Sequence, residues 1–306
     1  MKLATVDVGT NTVLLLVVES SGDVSLKPIL ERSRITRLGK GVDSTGHLDR
    51  DAAQLTLDTI AEFAGAARAA GAEKIIAVAT SALRDASDGA DFIARVREKA
   101  GVELKVIPGL EEAELSRLAV ARSLKLDPNA RILITDIGGG STELIRSEPG
   151  RDLASVSLQI GSVRLTEKVI RHDPPSNDEI EKLTTIIDQQ LRQLGWSFRP
   201  EVLVGIAGTV TTIAAVALGM SEYDAARVQG HVLQRDEVVD IVKRLGAATV
   251  AERKKIPGVL EARADVIFAG SLILERVMNY FDAPSVVVSD QGVRWGLAWR
   301  ALQSDG

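Results

Sequence analysis

An α/β fold, built as two domains of like topology, is what this sequence predicts. Three observations carry that expectation. Short β-branched runs alternate with amphipathic helical stretches along the chain, the pattern of strands and helices layered together. A stretch near the start, VDVGTNT, has an echo at DIGGGSTE: apolar strand, Asp, apolar residue, Gly, small polar turn, second strand. The two aspartates, Asp7 and Asp136, are 129 positions apart, and 306 residues suit two domains of roughly 150. A solenoid would repeat every ~20–50 residues instead.

In chain order, strands are expected over 3–8 and 13–19, forming a hairpin with VDVGTNT at its turn. The basic stretch ERSRITRLGKG (31–41) comes next, where Arg32, Arg34, Arg37 and Lys40 face one acid. It reads either as a solvated strand edge, charged against aggregation, or as the basic lining of an anion site. Helix 51–70, strand 74–79, helix 88–100, strand 103–107 and helix 111–124 complete the first half. The polar turn KLDPNA (125–130), with Pro128, is the best internal boundary. The second half follows with strands 131–136 and 143–146 as a second hairpin, strand 153–159, helix 176–194, strand 202–206, helices 209–218, 235–245 and 263–281, and strand 285–288. The apolar helix over 263–281 is either core or the interface of a homodimer.

Composition narrows the function classes. Apolar residues make up 45% and charged residues 26%, the balance of a globular protein in water. No run reaches the ~18 apolar residues of a membrane helix, and the N-terminus lacks the order of a signal peptide. Zero cysteines exclude thiolate metal sites and are compatible with a cytoplasmic home. Three scattered histidines, His47, His172 and His231, leave only a hard cation on oxygen ligands as the expected metal. A net charge of −5 argues against non-specific nucleic-acid binding.

The two glycine turns point to phosphate. A Rossmann loop must turn from strand into helix, and a Walker loop needs Gly-Lys-Ser/Thr; here the glycines lead into a second strand. Glycine lets the backbone approach a ligand closely. Successive amides of such turns, with Thr10, Asn11, Ser141 and Thr142 beside them, form an anion nest. An aspartate just before each nest repels phosphate unless a hard cation bridges the two. A third loop, GIAGTVTT, follows a strand and opens a helix, giving Gly208 and Thr209 an anion-friendly helix start. Three glutamates open the helix after IPG. Acids there complement the helix dipole, yet one can still face a ligand and deprotonate water. Glu111 and Glu112 diverge by about 100°, so they cannot share one space; spacing does not choose between them.

The assembled motifs resemble the exopolyphosphatase/guanosine pentaphosphate phosphohydrolase (Ppx/GppA) family of the actin-like, Hsp70-like and sugar-kinase (ASKHA) superfamily. They run in order through nearly the whole chain: VDVGTNT, TRLGKG, VATSALRDA, IPGLEEAEL, DIGGGSTEL, IGSVRLTE, GIAGTVTT, RADVIFAG and VSDQGVRWG. The resemblance implies two actin-like (ribonuclease H-like) domains, 1–125 with 292–306 and 126–291, an interdomain cleft, and a C-terminal helix returning to the first domain. It selects Glu112, directly before the alanine of E-E-A, as catalytic base. Asp136 and Glu143 are implied to hold Mg²⁺ (or Mn²⁺) or the attacking water. Asp7, Gly9, Thr10 and Asn11 match the first phosphate loop, and Gly138, Gly139, Gly140, Ser141 and Thr142 the second. Arg37, Arg84, Arg164 and Arg263 become phosphate contacts, because guanidinium forks suit phosphate oxygens; Gly208 and Thr209 join them.

The first loop departs from the family's usual D-L-G-S-N-S by hydroxyl swaps. The extra C-terminal helical domain of long members is absent, from which a preference for shorter polyphosphate is expected. The implied activity is hydrolysis of terminal phosphate from inorganic polyphosphate. Hydrolysis of guanosine pentaphosphate or binding of the tetraphosphate, phosphoryl transfer between polyphosphate and ADP, and a nucleotide-gated scaffold stand as alternatives.

Overall fold

The computed structural model describes residues 1–20, 25–124, 126–127 and 129–304. Lys125 and Pro128 of the expected boundary turn lie outside the described residues. The chain divides into two compact units, Met1–Ala119 with Gly292–Gly306, and Val120–Gln291. Each is α/β with one mixed sheet.

Unit 1 contains β1 (Lys2–Val8), β2 (Thr12–Ser20), β3 (Leu26–Ile35), β4 (Lys74–Ala79) and β5 (Leu104–Val106), ordered β3-β2-β1-β4-β5. β1 and β2 form the expected hairpin, with β3 antiparallel beside β2 and β4 parallel to β1. β1 is apolar on both faces because both are covered. Ala4, Val6 and Val8 pack into a core with Phe63 and Phe92 of the helices Arg50–Ala69 and Gly89–Ala100. Leu3 turns the other way, onto Ala119 and Trp295. Trp295 belongs to the C-terminal helix Val293–Ser304, which lies in unit 1. Asp49 starts the helix Arg50–Ala69 by accepting the amides of Asp51 and Ala52.

Unit 2 contains β6 (Ile132–Ile137), β7 (Thr142–Ser147), β8 (Ala154–Leu158), β9 (Val202–Ile206), β10 (Val232–Gln234) and β11 (Ser285–Val288), ordered β10-β11-β9-β6-β7-β8. Apart from the short antiparallel edge strand β10, this is the order of the first sheet: third, second, first, fourth, fifth. The repeat seen as two short motifs therefore covers both sheets, and the fold is the doubled actin-like, ribonuclease H-like one. The helix Ile267–Tyr280 resolves as core, since Phe268, Leu272 and Met278 are buried with β9 and β11 residues. Ser176 and Glu179 form a capping box at the start of the helix Asn177–Gln193. Among the described residues no helix is long and apolar enough to cross a membrane.

Candidate functional site

In unit 1 the predicted residues gather at the carboxyl ends of the parallel strands, where ligands of open α/β sheets bind. Asp7 sits in β1 opposite Val78 of β4. The Gly9 amide donates to the Thr12 carbonyl at 3.0 Å and closes the turn. Thr10 and Ser81 hydroxyls lie 2.7 Å apart and are buried, tying the turn to the segment after β4. Arg84 follows three residues later. One of its Nη atoms donates to the Ile107 carbonyl at 2.7 Å and to Glu112 Oε2 at 3.0 Å.

Geometry thus separates the two glutamates that spacing left open. Glu112 is buried against Arg84. Glu111 pairs with Lys105 at 3.0 Å and Arg300 at 2.7 Å. Burial works against ionisation of Glu111, but those two cations outweigh it and hold its carboxyl below the usual range. Glu111 is a structural ion-pair partner, and Glu112 is the acid held in the loop cluster.

Asp7 differs from both. Burial pushes its carboxyl up to about 6, although Arg294 opposes the shift. Its Oδ1 has no hydrogen-bond partner among the described residues. Arg294 also pairs with Glu31 at 2.8 Å, which accounts for the one acid of the basic stretch. The rest of that stretch divides. Arg32 and Arg34 lie on the edge strand β3 and pair with Glu62, at 3.6 Å and 2.5 Å. Arg37 lies beyond the strand with φ 56, and its amide and that of Thr36 donate to the Asn11 carbonyl at 3.1 and 2.9 Å.

In unit 2 the same hairpin recurs, and the Gly138 amide donates to the Ser141 carbonyl at 3.0 Å. The match aligns Thr10 and Asn11 with Gly139 and Gly140, and Thr12 with Ser141. Thr10 and Asn11 therefore have glycines as their structural counterparts, although the sequences look alike, while Thr12 and Ser141 correspond. Asp136 lies directly opposite Glu143 on β7. Facing like charges are unfavourable on a sheet, and Ser157 donates to Glu143 Oε1 at 2.7 Å. Two carboxylates with a hydroxyl, all oxygen donors, fit a small hard cation that keeps waters and phosphate oxygens in its remaining positions. Among the described residues no cluster of three or more His, Asp or Glu gathers as a cage.

One expected phosphate contact needs correction. Thr142 is fully buried, and its hydroxyl donates to the Ile160 carbonyl at 2.6 Å, so it fastens the hairpin and presents nothing to a ligand. Arg164 donates from Nε to the Gly140 carbonyl at 2.6 Å. At the third loop the helix Ala207–Ala217 starts on Ala207, whose φ of 68 is strained for a residue with a Cβ. Arg263 lies across Gly208: a Cβ there would come within 1.9 Å of its guanidinium. Burial depresses the Arg263 pKa, with Tyr223 opposing. Thr209 is buried beside Gly270 and Ser162.

Sequence reasoning passed over Ser81, Ser157 and Arg294. Ser81 and Arg294 stood inside motifs already quoted, three and four residues from the charged positions Arg84 and Asp290. Ser157 carries no sequence signal, because only the β7–β8 register brings it to Glu143.

A doubled sheet with a glycine turn at the strand ends of each half, and a buried acid paired to an arginine beside the first turn, fits the class of phosphate-handling proteins. The chain belongs to the Ppx/GppA phosphatase family, whose model matches residues 17–305. Exopolyphosphatase 2 of Mycobacterium tuberculosis is 33% identical over 287 residues, covering 90% of this chain and 89% of that protein. The Aquifex aeolicus Ppx/GppA family member is 32% identical, with a TM-score of 0.84 over 100% of this chain and 99% of that one. An exopolyphosphatase from Cytophaga hutchinsonii is 26% identical with a TM-score of 0.91, covering 99% and 98%.

Proposed function

We propose that this protein is an exopolyphosphatase, which hydrolyses the terminal phosphate of inorganic polyphosphate and releases orthophosphate in the cytoplasm. The observation that carries this reading is Glu112: a buried carboxylate, oriented by Arg84, at the strand ends that also bear the first amide turn. Glu112 takes a proton from water as the water oxygen bonds to the terminal phosphorus. The bond from that phosphorus to the bridging oxygen breaks, and the shortened chain leaves with the bridging oxygen. Phosphoryl transfer needs little else from a protein than positioning and charge stabilisation. Each glycine turn offers its outward amides to phosphate oxygens, that of Asn11 in the first and those of Gly139 and Gly140 in the second, and Arg84 orients the base. Asp136 and Glu143 would hold Mg²⁺ or Mn²⁺, which supplies positive charge to the phosphate oxygens when bound.

Relatives of the same family named exopolyphosphatase support polyphosphate as the substrate, and hydrolysis of guanosine pentaphosphate, which uses the same chemistry, is the alternative. The test is phosphate release, measured side by side on short polyphosphate, long polyphosphate, guanosine pentaphosphate and ATP, with and without ADP. Polyphosphate is expected to give the highest kcat/KM. A tenfold preference for guanosine pentaphosphate would overturn the substrate, and ATP formed from ADP would overturn hydrolysis.

A further inference from the structure

Arg164 was expected to touch phosphate, but its surroundings give it another task. Residues 161–164 hold the glycine turn by its carbonyls. The Ser162 amide donates to the Gly138 carbonyl at 3.0 Å. The amides of Val163 and Arg164 donate to Gly139 at 2.9 and 3.1 Å. Arg164 Nε donates to Gly140 at 2.6 Å. Three consecutive carbonyls are thus turned toward one short segment. In a trans peptide the carbonyl of one residue points opposite to the amide of the next. The amides of Gly139, Gly140 and Ser141 are therefore all turned the other way, side by side. Among the described residues no acceptor meets those of Gly139 and Gly140.

Gly161 lets the clamp close. A Cβ at that position would lie 2.3 Å from the Gly139 oxygen and 2.6 Å from the Gly140 carbon, both backbone atoms that cannot give way.

Unit 1 has the same device at the topologically equivalent place, after its third strand. There the amides of Thr36 and Arg37 hold the Asn11 carbonyl, and the Gly39 amide holds that of Thr10 at 2.8 Å. The amides of Asn11 and Thr12 are turned outward in consequence. In that unit the backbone alone suffices. In unit 2 the third carbonyl is held by a side chain, and that side chain is Arg164.

We propose that Arg164 is a positioning residue: its Nε–H fixes the Gly140 carbonyl and so aims the Ser141 amide at the phosphate ligand. The inference rests on the phosphohydrolase reading for its ligand, but the geometry it invokes is a property of the loop. Substitution separates the donor from the charge. Glutamine places a neutral N–H donor at the position of arginine Nε. Lysine places a methylene there and keeps the charge, and methionine keeps neither.

The experiment measures polyphosphate kinetics and, by calorimetry, affinity for inorganic triphosphate in Arg164→Gln, Arg164→Lys and Arg164→Met, with melting temperatures alongside. Arg164→Gln should stay within about threefold of the parent in triphosphate affinity, whereas Arg164→Lys and Arg164→Met should lose about 10–100-fold, as when an orienting partner is removed. The opposite order, with lysine retained and glutamine lost, identifies a charge contact with phosphate and overturns the proposal, as does equal loss in glutamine and methionine. Gly161→Ala, which displaces the clamp without touching Arg164, should weaken triphosphate binding as well; unchanged binding overturns the clamp. If the parent protein releases no phosphate from any substrate, the hydrolase reading fails, while the order of triphosphate affinities still decides the role of Arg164.

Discussion

Asp7 should cost this protein stability, and the cost can be worked from its surroundings. Burial raises its carboxyl from the ordinary 3.8 to about 6 even with Arg294 opposing. At 1.36 kcal/mol per pH unit, the gap corresponds to a penalty of roughly 3 kcal/mol on folding with the carboxylate ionised. For an acid whose folded pKa is raised, the folded state binds the proton more tightly. The penalty is then absent below pH 3.8, grows as pH rises through the window, and is complete above about 6. About half of it is present at pH 5. Asp7→Asn removes the charge and keeps the shape, so it should be more stable than the parent by up to roughly 3 kcal/mol at pH 8, and by nothing near pH 3.5. Urea denaturation of both proteins from pH 3.5 to 8 measures the difference. A stability difference that does not change with pH, or a less stable asparagine variant at pH 8, would refute the argument.

Further outcomes follow from the same geometry. Glu112→Gln should lower polyphosphate turnover by at least ~10²-fold while leaving melting temperature and triphosphate binding near those of the parent; a variant with near-normal kcat would remove Glu112 from the mechanism. Arg84→Met, which frees Glu112 from its anchor, should reduce kcat more than it raises KM, and the reverse split would make Arg84 a binding contact instead. Chelation should stop phosphate release, with Mg²⁺ or Mn²⁺ restoring it, and Asp136→Asn should raise the Mg²⁺ concentration for half-maximal rate by about tenfold or more; an unshifted metal titration would place the cation elsewhere. Gly208→Ala puts a Cβ within 1.9 Å of the buried Arg263 guanidinium and should cost about 1–3 kcal/mol in urea denaturation.

Strands that face a core on both sides were legible from sequence, because their apolar runs are continuous, as in β1 and β6. β3 was not placed among the expected strands and appeared only as the strand-edge reading of the basic stretch 31–41. Its Pro28, Glu31, Arg32 and Arg34 break the apolar pattern, and an edge strand lying partly in water does not need one. β10 has three residues, too few for any period. The helix Ser162–Val169 was missed for a related reason: its start is fixed by carbonyls of a distant turn, with no side-chain cap. At the site, most charged residues were found because charge in a motif is visible, Arg294 being the exception. The pairings were not, since Ser157 meets Glu143 through strand register and Arg84 meets Glu112 through the placement of two helices. The two clamps share no sequence, TRLG against GSVR, because nearly all their contacts are made by backbone atoms.

The clamp has an electrical consequence. The amides of Ser162, Val163 and Arg164 stand at the first turn of a helix, where unsatisfied N–H groups concentrate partial positive charge. They spend that charge on the carbonyls of Gly138 and Gly139, polarising each peptide so that its far-side N–H becomes a better donor. On the proposed reading, the glycine turn would pass the field of the helix, one peptide further on, to a phosphate held at its far side.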